Sequence, residues 1–288
     1  MNLDGRRESS NVDDRRRSSM STAGGIGIGG IIIAALMTWV MGGDPLAAIQ
    51  SAAEQQMNVS TQTENDREFT PEEEELAKFS RQVLAGTEDV WTEVFKQMGR
   101  EYVPPRMVLY TGGVRTACGN GSAAMGPFYC SGDQCLYIDL SFFTSMKKQL
   151  GADGDFAYAY VIAHEVGHHV EYLLGTMGKA HDQMNRVSKT DANRISVRLE
   201  LLADFYAGVW AYHDNQMFSS IEDGDLEEAI HCAQVIGDNY LQEKAQGYSQ
   251  PESFTHGTSK QRMKWLKLGL TTGDMSKGNT FSLSDAEL

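Results

Sequence analysis

The feature that most constrains this chain is a pair of histidines inside an apolar run at 157–170. They stand four residues apart in His164-Glu165-Val166-Gly167-His168. On an α-helix, residues four apart lie on one face, so both imidazoles can reach a single metal ion. The apolar lead-in predicts a buried helix, where unpaired polar groups are costly. An amphipathic core helix with incidental histidines is the alternative; we predict zinc as the partner.

Glu165 directly follows the first histidine of the pair. A carboxylate in this position lies beside the open coordination position of a metal held by the two imidazoles. It can take a proton from water there, which is the task of a general base. We therefore predict Glu165 as a catalytic residue.

Two histidines leave a zinc site one protein ligand short. A third histidine ten residues after the first, preceded by a glycine, would complete one known pattern, but the chain has Glu171 and Leu174 there. A second apolar segment, 199–210, carries Glu200 and Asp204 one helical turn apart. We predict Glu200 as the third ligand and Asp204 as the acceptor that fixes an imidazole tautomer. The alternative is a solvated helix face.

Together these residues resemble a gluzincin-type metallopeptidase, in which H-E-x-x-H is followed by E-x-x-A-D. Nearly end to end, the chain resembles the putative neutral zinc metallopeptidase family of bacteria, on residues 6–16, 116–119, 126–130, 137–143, 163–170, 198–210 and 253–262. The resemblance implies a zinc-dependent peptidase anchored at the membrane, with one zinc ion per chain. It implies a peptide or protein substrate and little more about specificity.

His256 is the remaining histidine with a predicted role. In gluzincin-like sites a later histidine donates to the oxyanion that forms on the scissile carbonyl, an interaction that lowers the barrier by roughly 3 kcal/mol. A loop or N-cap histidine next to the helix predicted at 260–270 is the alternative. His169 points about 100° away from the ligand face, so we predict that it is a packing or surface residue. The other histidines have no ligand spacing: His181, His213 and His231.

The mechanism that we predict is hydrolysis of a peptide bond. Zinc held by His164, His168 and Glu200 activates a water, and Glu165 takes its proton and later passes one to the leaving amine. The alternative is a proteolytically silent zincin-fold binding or scaffold protein at the cell envelope. Glu165 argues against it, because a site without turnover does not need a base there. Zinc-dependent hydrolysis of a non-peptide bond is a third option that no residue favours.

An uncharged stretch at 23–41 predicts a transmembrane helix, because its 19 residues fall within the roughly 17–25 that span a bilayer. The segment before it, 1–22, carries five arginines: Arg6, Arg7, Arg15, Arg16 and Arg17. By the positive-inside rule the N-terminus is cytoplasmic. We therefore predict a single-pass protein of the bacterial inner membrane with an extracytoplasmic catalytic domain. The alternatives are a cleaved signal peptide, for which no clean cleavage site follows, and a glycine-rich loop.

The four cysteines are consistent with export, since an even number in an oxidising compartment predicts disulfides. They allow three pairings, among which spacing does not decide. Cys118 and Cys130 flank a small-residue loop and lie in stretches that resemble the family, which favours this pair. Cys135 with Cys232 is the residual option, and free buried thiols are the alternative to any disulfide.

The net charge is −14, and the part after residue 22 accounts for all of it, because residues 1–22 have five arginines and four acids. An acidic surface of this kind favours solubility and argues against binding of nucleic acid or anionic lipid by the exported part. We predict a flexible linker over 42–69 and one zinc metallopeptidase domain over 70–288. The fold class predicted is α+β, zincin-like, mostly helical with a small sheet.

Local signals predict where the elements of this domain lie. Thr70, Pro71 and Glu73 form a helix start with a capping box, and the apolar stripe that follows indicates one helix or two with a break at Gly86. Strands are predicted at 106–111 and 136–140, and further helices at 157–173, 197–213, 226–242 and 260–270. We predict that the strand at 136–140 lies at the rim of the cleft and pairs with substrate; an interior strand is the alternative. Residues 175–188 are predicted to be a flexible rim segment.

Overall fold

The computed structural model describes residues 1–17 and 68–288. The predicted transmembrane segment, 23–41, lies outside these residues, as does nearly all of the predicted linker. Among the helices of the two described ranges, none is both long and apolar enough to cross a bilayer. Helices dominate the fold and a small sheet accompanies them, as the predicted α+β class requires.

The main sheet has four strands in the order β1-β2-β6-β5. The strands are β1 (Val12–Asp14), β2 (Arg106–Tyr110), β5 (Phe128–Cys130) and β6 (Cys135–Asp139). The first three in this spatial order are parallel, and β5 runs antiparallel to β6. A separate hairpin is formed by β3 (Gly113–Thr116) and β4 (Gly119–Ser122). The strands predicted at 106–111 and 136–140 are therefore present.

Strand β1 comes from the N-terminal segment, although the sequence predicts that this segment is separate from the 70–288 domain. Val12 is in register with Met107, and Asp14 with Leu109. A three-residue strand with two aspartates has no apolar alternation that would reveal it in the sequence. Its place is fixed by a partner strand far along the chain.

The strand predicted at the rim, 136–140, is an interior strand, so that prediction was wrong. Its counterpart β6 lies between β2 and β5, and all five of its residues are buried. The edge position belongs to β5, which precedes β6 in the chain. Strands β5 and β6 are separated only by a tight turn, so both lie shortly before the motif in the chain. Position in the sequence could therefore not show which of them is the edge strand.

The disulfide favoured by the sequence, Cys118–Cys130, is present and ties the loop after β3 to the edge strand β5. The residual pairing of Cys135 with Cys232 is not formed, since both are free and buried. Cys232 lies in the helical core and Cys135 in a separate cluster beside the sheet. Their different locations account for the absence of that bond.

The described helices are α1 (Pro71–Gln97), α2 (Ser141–Leu150), α3 (Asp155–Leu174), α4 (Thr176–Met184), α5 (Lys189–Phe218), α6 (Asp225–Val235), α7 (Asp238–Gln246) and α8 (Ser259–Thr272). Helix α1 is continuous through Gly86 and begins at Thr70 with both hydrogen bonds of the predicted capping box. The helices predicted at 157–173 and 260–270 are present, and α5 is much longer than the predicted 197–213.

Two predictions about the second half of the domain were wrong. The helix expected over 226–242 is two helices, α6 and α7, which are separated at Gly237. Gly237 packs against the start of α8, where an added Cβ atom would lie 2.3 Å from the Ser259 nitrogen. The flexible segment expected over 175–188 is largely helix α4, because Met177 and Ala180 are buried against Leu199 on α5.

Glycines allow the helices that carry the motif residues to pack closely together. At Gly167, between the two motif histidines, a Cβ atom would lie 2.9 Å from the carbonyl oxygen of Ala203 on α5. Gly208 on α5 faces Gly269 on α8, where added Cβ atoms would lie 2.4 Å and 2.2 Å from opposing carbonyl oxygens. Since only glycine permits these approaches, the backbones of α3, α5 and α8 pack directly against one another.

Candidate metal centre

Helices α3 and α5 bring His164, His168 and Glu200 together. His164 Nε2 lies 3.1 Å from Glu200 Oε2, and His168 Nε2 lies 3.5 Å from Glu200 Oε1. One ligand-type atom from each residue lies within 4.8 Å of the others. We call these three residues the metal centre. The helical spacing of four places the two imidazoles side by side, and the contact at Gly167 brings Glu200 within reach.

Each imidazole of the metal centre has a carboxylate behind it. His164 Nδ1 lies 2.8 Å from Asp204 Oδ1, and His168 Nδ1 lies 2.9 Å from Glu171 Oε2. Both contacts orient the ring so that its Nε2 atom faces Glu200. An acceptor of this kind fixes the tautomer of a metal-binding histidine. The structure places Asp204 where the sequence predicted, whereas the position of Glu171 was not predicted.

Asp204 is the centre of a buried hydrogen-bond network. It accepts from Arg262 Nε and Nη2, both at 2.9 Å, and from the Tyr160 hydroxyl at 2.6 Å. Burial would raise the pKa of Asp204, but Arg262 and His164 outweigh it and hold the pKa well below its usual range. Asp204 therefore remains ionised. Sequence reasoning missed Arg262; the signal available was that a carboxylate in an apolar helix needs a cation.

Glu165 lies next to the metal centre, is 8% exposed and lines a cavity together with His164, His168 and Glu200. Burial raises the pKa of its carboxyl group above the ordinary value. A raised pKa makes the carboxylate a stronger base. The position and the environment of Glu165 both suit a residue that accepts a proton.

The loop before α8 presents His256 at this cavity. Asp238, at the start of α7, holds the loop: its Oδ2 accepts the backbone N–H groups of residues 255–257 at 2.7–2.9 Å. Its Oδ1 lies 3.0 Å from His256 Nδ1. Burial would lower the pKa of His256, but Asp238 and Glu200 outweigh it and raise the pKa. These carboxylates therefore shift His256 towards its protonated form, which can donate to an anion.

His169 takes no part in the metal centre and is fully buried, as the packing alternative required. Its Nε2–H donates to the Val103 carbonyl at 2.7 Å, so its Nδ1 accepts from the Tyr129 hydroxyl at 2.9 Å. Burial lowers the pKa of His169 to about 4. Unlike its neighbour His168, it has no carboxylate partner in these contacts and stays neutral.

The metal centre opens into a cavity of about 290 Å³. Its lining includes Phe128 and Tyr129 of the edge strand β5. Apolar side chains also line it: Phe142, Leu150, Val161, Ile236 and Leu241. The cavity therefore combines the polar residues of the metal centre with an apolar lining.

The donor set fits zinc. Two imidazole nitrogens and one carboxylate are ligands that zinc accepts in hydrolytic sites that keep a further position open. The carboxylates behind both imidazoles supply the outer shell that such sites use. A calcium or magnesium site would instead consist of oxygen ligands.

The sequence comparisons identify the family of the chain. The chain matches the family described as putative neutral zinc metallopeptidase over residues 1–281 and belongs to it. It is 46% identical to the uncharacterized protein YpfJ of Escherichia coli K12, over 99% of this chain and 100% of that protein. It is 39% identical to the uncharacterized protein Rv2575 of Mycobacterium tuberculosis H37Rv, over 67% of each chain. No solved structure matches.

Proposed function

We propose that this protein is a zinc-dependent endopeptidase. One observation carries the proposal: His164, His168 and Glu200 bring ligand-type atoms within 4.8 Å of one another, next to the buried carboxylate of Glu165. When bound there, zinc supplies Lewis-acid chemistry, which polarises a carbonyl group and makes a water more acidic. The family to which the chain belongs supports the same activity.

The residues around the metal centre have distinct tasks in this proposal. Glu165 accepts a proton from the attacking water and returns one to the leaving amine. Its raised pKa suits both transfers. His256 donates a hydrogen bond to the oxygen of the scissile carbonyl as negative charge develops on it. Asp204 and Glu171 hold the two imidazoles in orientation.

The cleft is suited to an extended peptide with an apolar side chain. Strand β5 lies at the edge of the sheet and beside the cavity, so an extended chain can add to it through backbone hydrogen bonds. The apolar pocket that contains Phe142, Leu150 and Leu241 would receive one side chain of that peptide. We therefore propose cleavage next to an apolar residue.

The cellular location is part of the proposal. The apolar stretch at 23–41 supports attachment to the bacterial inner membrane. The Cys118–Cys130 disulfide supports an extracytoplasmic position of the metal centre, because such bonds persist in oxidising compartments.

The decisive experiment maps cleavages in a mixed peptide library by mass spectrometry, with purified full-length, zinc-loaded protein. Glu165→Gln removes the base, and we expect cleavage to fall by at least about 100-fold. Glu227→Gln changes an exposed carboxylate on α6 and should leave cleavage intact.

Equal cleavage by wild type and Glu165→Gln would contradict the proposed mechanism. No cleavage by folded, zinc-loaded wild type would instead favour a binding protein without turnover. Cuts that show no preference for apolar residues would contradict the assignment of the pocket.

A further inference from the structure

The N-terminal segment is part of the domain that carries the metal centre. Its strand β1 forms the outer parallel strand beside β2. The Gln82 side chain on α1 donates to the backbone oxygens of Leu3 and Arg6, both at 3.1 Å. The segment thus contacts both the sheet and the first helix of the domain.

Two buried carboxylates of the domain take partners from this segment. Asp214 is 1% exposed, and Arg6 pairs with it at 2.8 Å. A Cβ atom at Gly86 would lie 2.8 Å from Arg6 Nη2 and 2.9 Å from Asp214 Oδ1, so α1 leaves room for this pair. Glu88 accepts from Ser9 Oγ at 2.6 Å and from Asn11 Nδ2 at 2.7 Å. Without residues 1–17, both buried charges would lose these partners, which is strongly unfavourable.

The arginines that predicted a cytoplasmic N-terminus have structural partners. Arg7 pairs with Glu88 and Asp89 on α1, at 2.9 Å and 2.6 Å. Arg16 is buried and pairs with Glu74, also on α1, at 3.1 Å. Together with Arg6, these side chains neutralise acids of the 68–288 part. Folding therefore accounts for three of the five arginines, which weakens the cluster as a topological signal.

Side chains just before and just after residues 18–67 contact one another. The guanidinium of Arg16 lies 4.0 Å from the centre of the Phe69 ring, and that of Arg17 lies 5.3 Å from it. The residues on either side of 18–67 are therefore neighbours. A single membrane crossing would instead require those flanks to lie on opposite sides of a bilayer about 30 Å thick.

We infer that residues 1–17 lie on the same side of the membrane as the metal centre. Strands β1 and β2 can pair only if both are on that side. Any membrane attachment through 23–41 therefore has both flanks on one side, in contrast to the single-pass topology that the sequence predicts. The inference rests on contacts of the described residues and does not depend on peptidase activity.

The test compares two single-cysteine additions in the full-length chain, in intact and permeabilised spheroplasts. Ser10→Cys and Lys78→Cys each place a thiol at an exposed position, one in the N-terminal segment and one on α1. We expect a membrane-impermeant maleimide to label both in intact cells, or both only after permeabilisation. The wild type gives the background, since Cys135 and Cys232 are buried and the other two cysteines are bonded. Labelling of Lys78→Cys alone in intact cells would overturn the inference.

A second measurement tests the contact itself in full-length protein purified in detergent. Arg6→Asp places a negative charge beside buried Asp214, and we expect the unfolding temperature to fall by roughly 10 °C. Arg17→Asp is the matched control, because Arg17 is exposed and should tolerate the change. Equal unfolding temperatures for the two variants would show that residue 6 does not pack against the domain and would overturn the inference.

Discussion

Two groups of side chains near helix α3 each bring metal-type ligands within 4.8 Å of one another. One is the metal centre, beside the middle of the helix. The other, which we call the acidic cluster, lies at its N-terminal end and consists of Asp155, Asp225 and Glu228. Distance between donor atoms therefore does not distinguish them.

The groups differ in what surrounds the donor atoms. Both imidazoles of the metal centre are oriented by carboxylates behind them, and the site opens into a cavity. In the acidic cluster, the Met1 amino group lies 2.5 Å from Asp155 and 3.0 Å from Asp225, so a cation is already present. The outer hydrogen bonds therefore distinguish the two groups where the donor distances do not.

The largest effect is expected when one residue is removed from each group and zinc binding is compared. We expect His168→Ala to weaken zinc binding by about 100- to 1,000-fold, because each ligand provides a substantial share of the binding free energy. Asp225→Asn should leave zinc affinity unchanged. Competition with a chromogenic chelator measures both. An equal loss in the two variants would mean that the acidic cluster also supports zinc binding.

A second prediction uses His169, which adjoins the metal centre but pairs with the Val103 carbonyl and the Tyr129 hydroxyl. The folded protein keeps it neutral with a pKa of about 4, whereas the unfolded chain protonates it near pH 6.5. Between these values the unfolded state binds more protons, so this stabilisation is present above about pH 6.5 and is lost as the pH falls towards 4. The loss reaches about 2 kcal/mol at pH 5 and about 3 kcal/mol at pH 4.

Urea unfolding of zinc-free protein at pH 7.5 and pH 5 measures this effect. His169→Gln should remove that part of the pH dependence, whereas His231→Gln, at an exposed position on α6, should retain it. Identical pH dependence in wild type and His169→Gln would contradict the assignment of His169 as a neutral buried histidine.

A third prediction concerns the carboxylates behind the ligands. Glu171→Gln keeps the shape of the side chain but removes the charge next to His168, and we expect zinc affinity to fall by about 10- to 100-fold. Glu101→Gln, on an exposed carboxylate, is the control in the same chelator competition. If zinc affinity is unchanged in Glu171→Gln, the contact does not orient the ligand.

The smallest effect is expected within the acidic cluster. The Asp155 side chain is 44% exposed, so Asp155→Asn should change the free energy of unfolding by at most about 1 kcal/mol. Asp225, whose side chain is 5% exposed, should be more sensitive. Urea unfolding of Asp155→Asn and Asp225→Asn measures both losses of stability. A larger loss in Asp155→Asn would contradict the idea that the more buried carboxylate contributes more.

The metal centre could be located from the sequence because its ligands lie on two helices with regular spacing. The same rule predicts Asp204, four residues after Glu200. It could also have found Glu171, since residues three apart on a helix are neighbours and Glu171 follows His168 by three. The sequence indicated that Asp204 needs a cation but not which one, because Arg262 comes from a third helix whose approach depends on the contact between Gly208 and Gly269.

The sheet was less predictable than the helices. Strands β1 and β5 have three residues each, which is too short for an alternating pattern to stand out. Their positions depend on pairing with distant strands, and strand preference depends strongly on such context. For the same reason, the order of strands in the sheet could not be deduced from their order in the chain.

The pairing of β1 with β2 has a practical consequence for protein production. A fragment that starts at Thr70 would present β2 as an open edge, whose free backbone N–H and C=O groups can recruit another chain. Such a fragment is expected to aggregate. A synthetic peptide of residues 1–17, added in trans, should occupy that edge and restore a soluble complex, which would make the two pieces a split-protein pair.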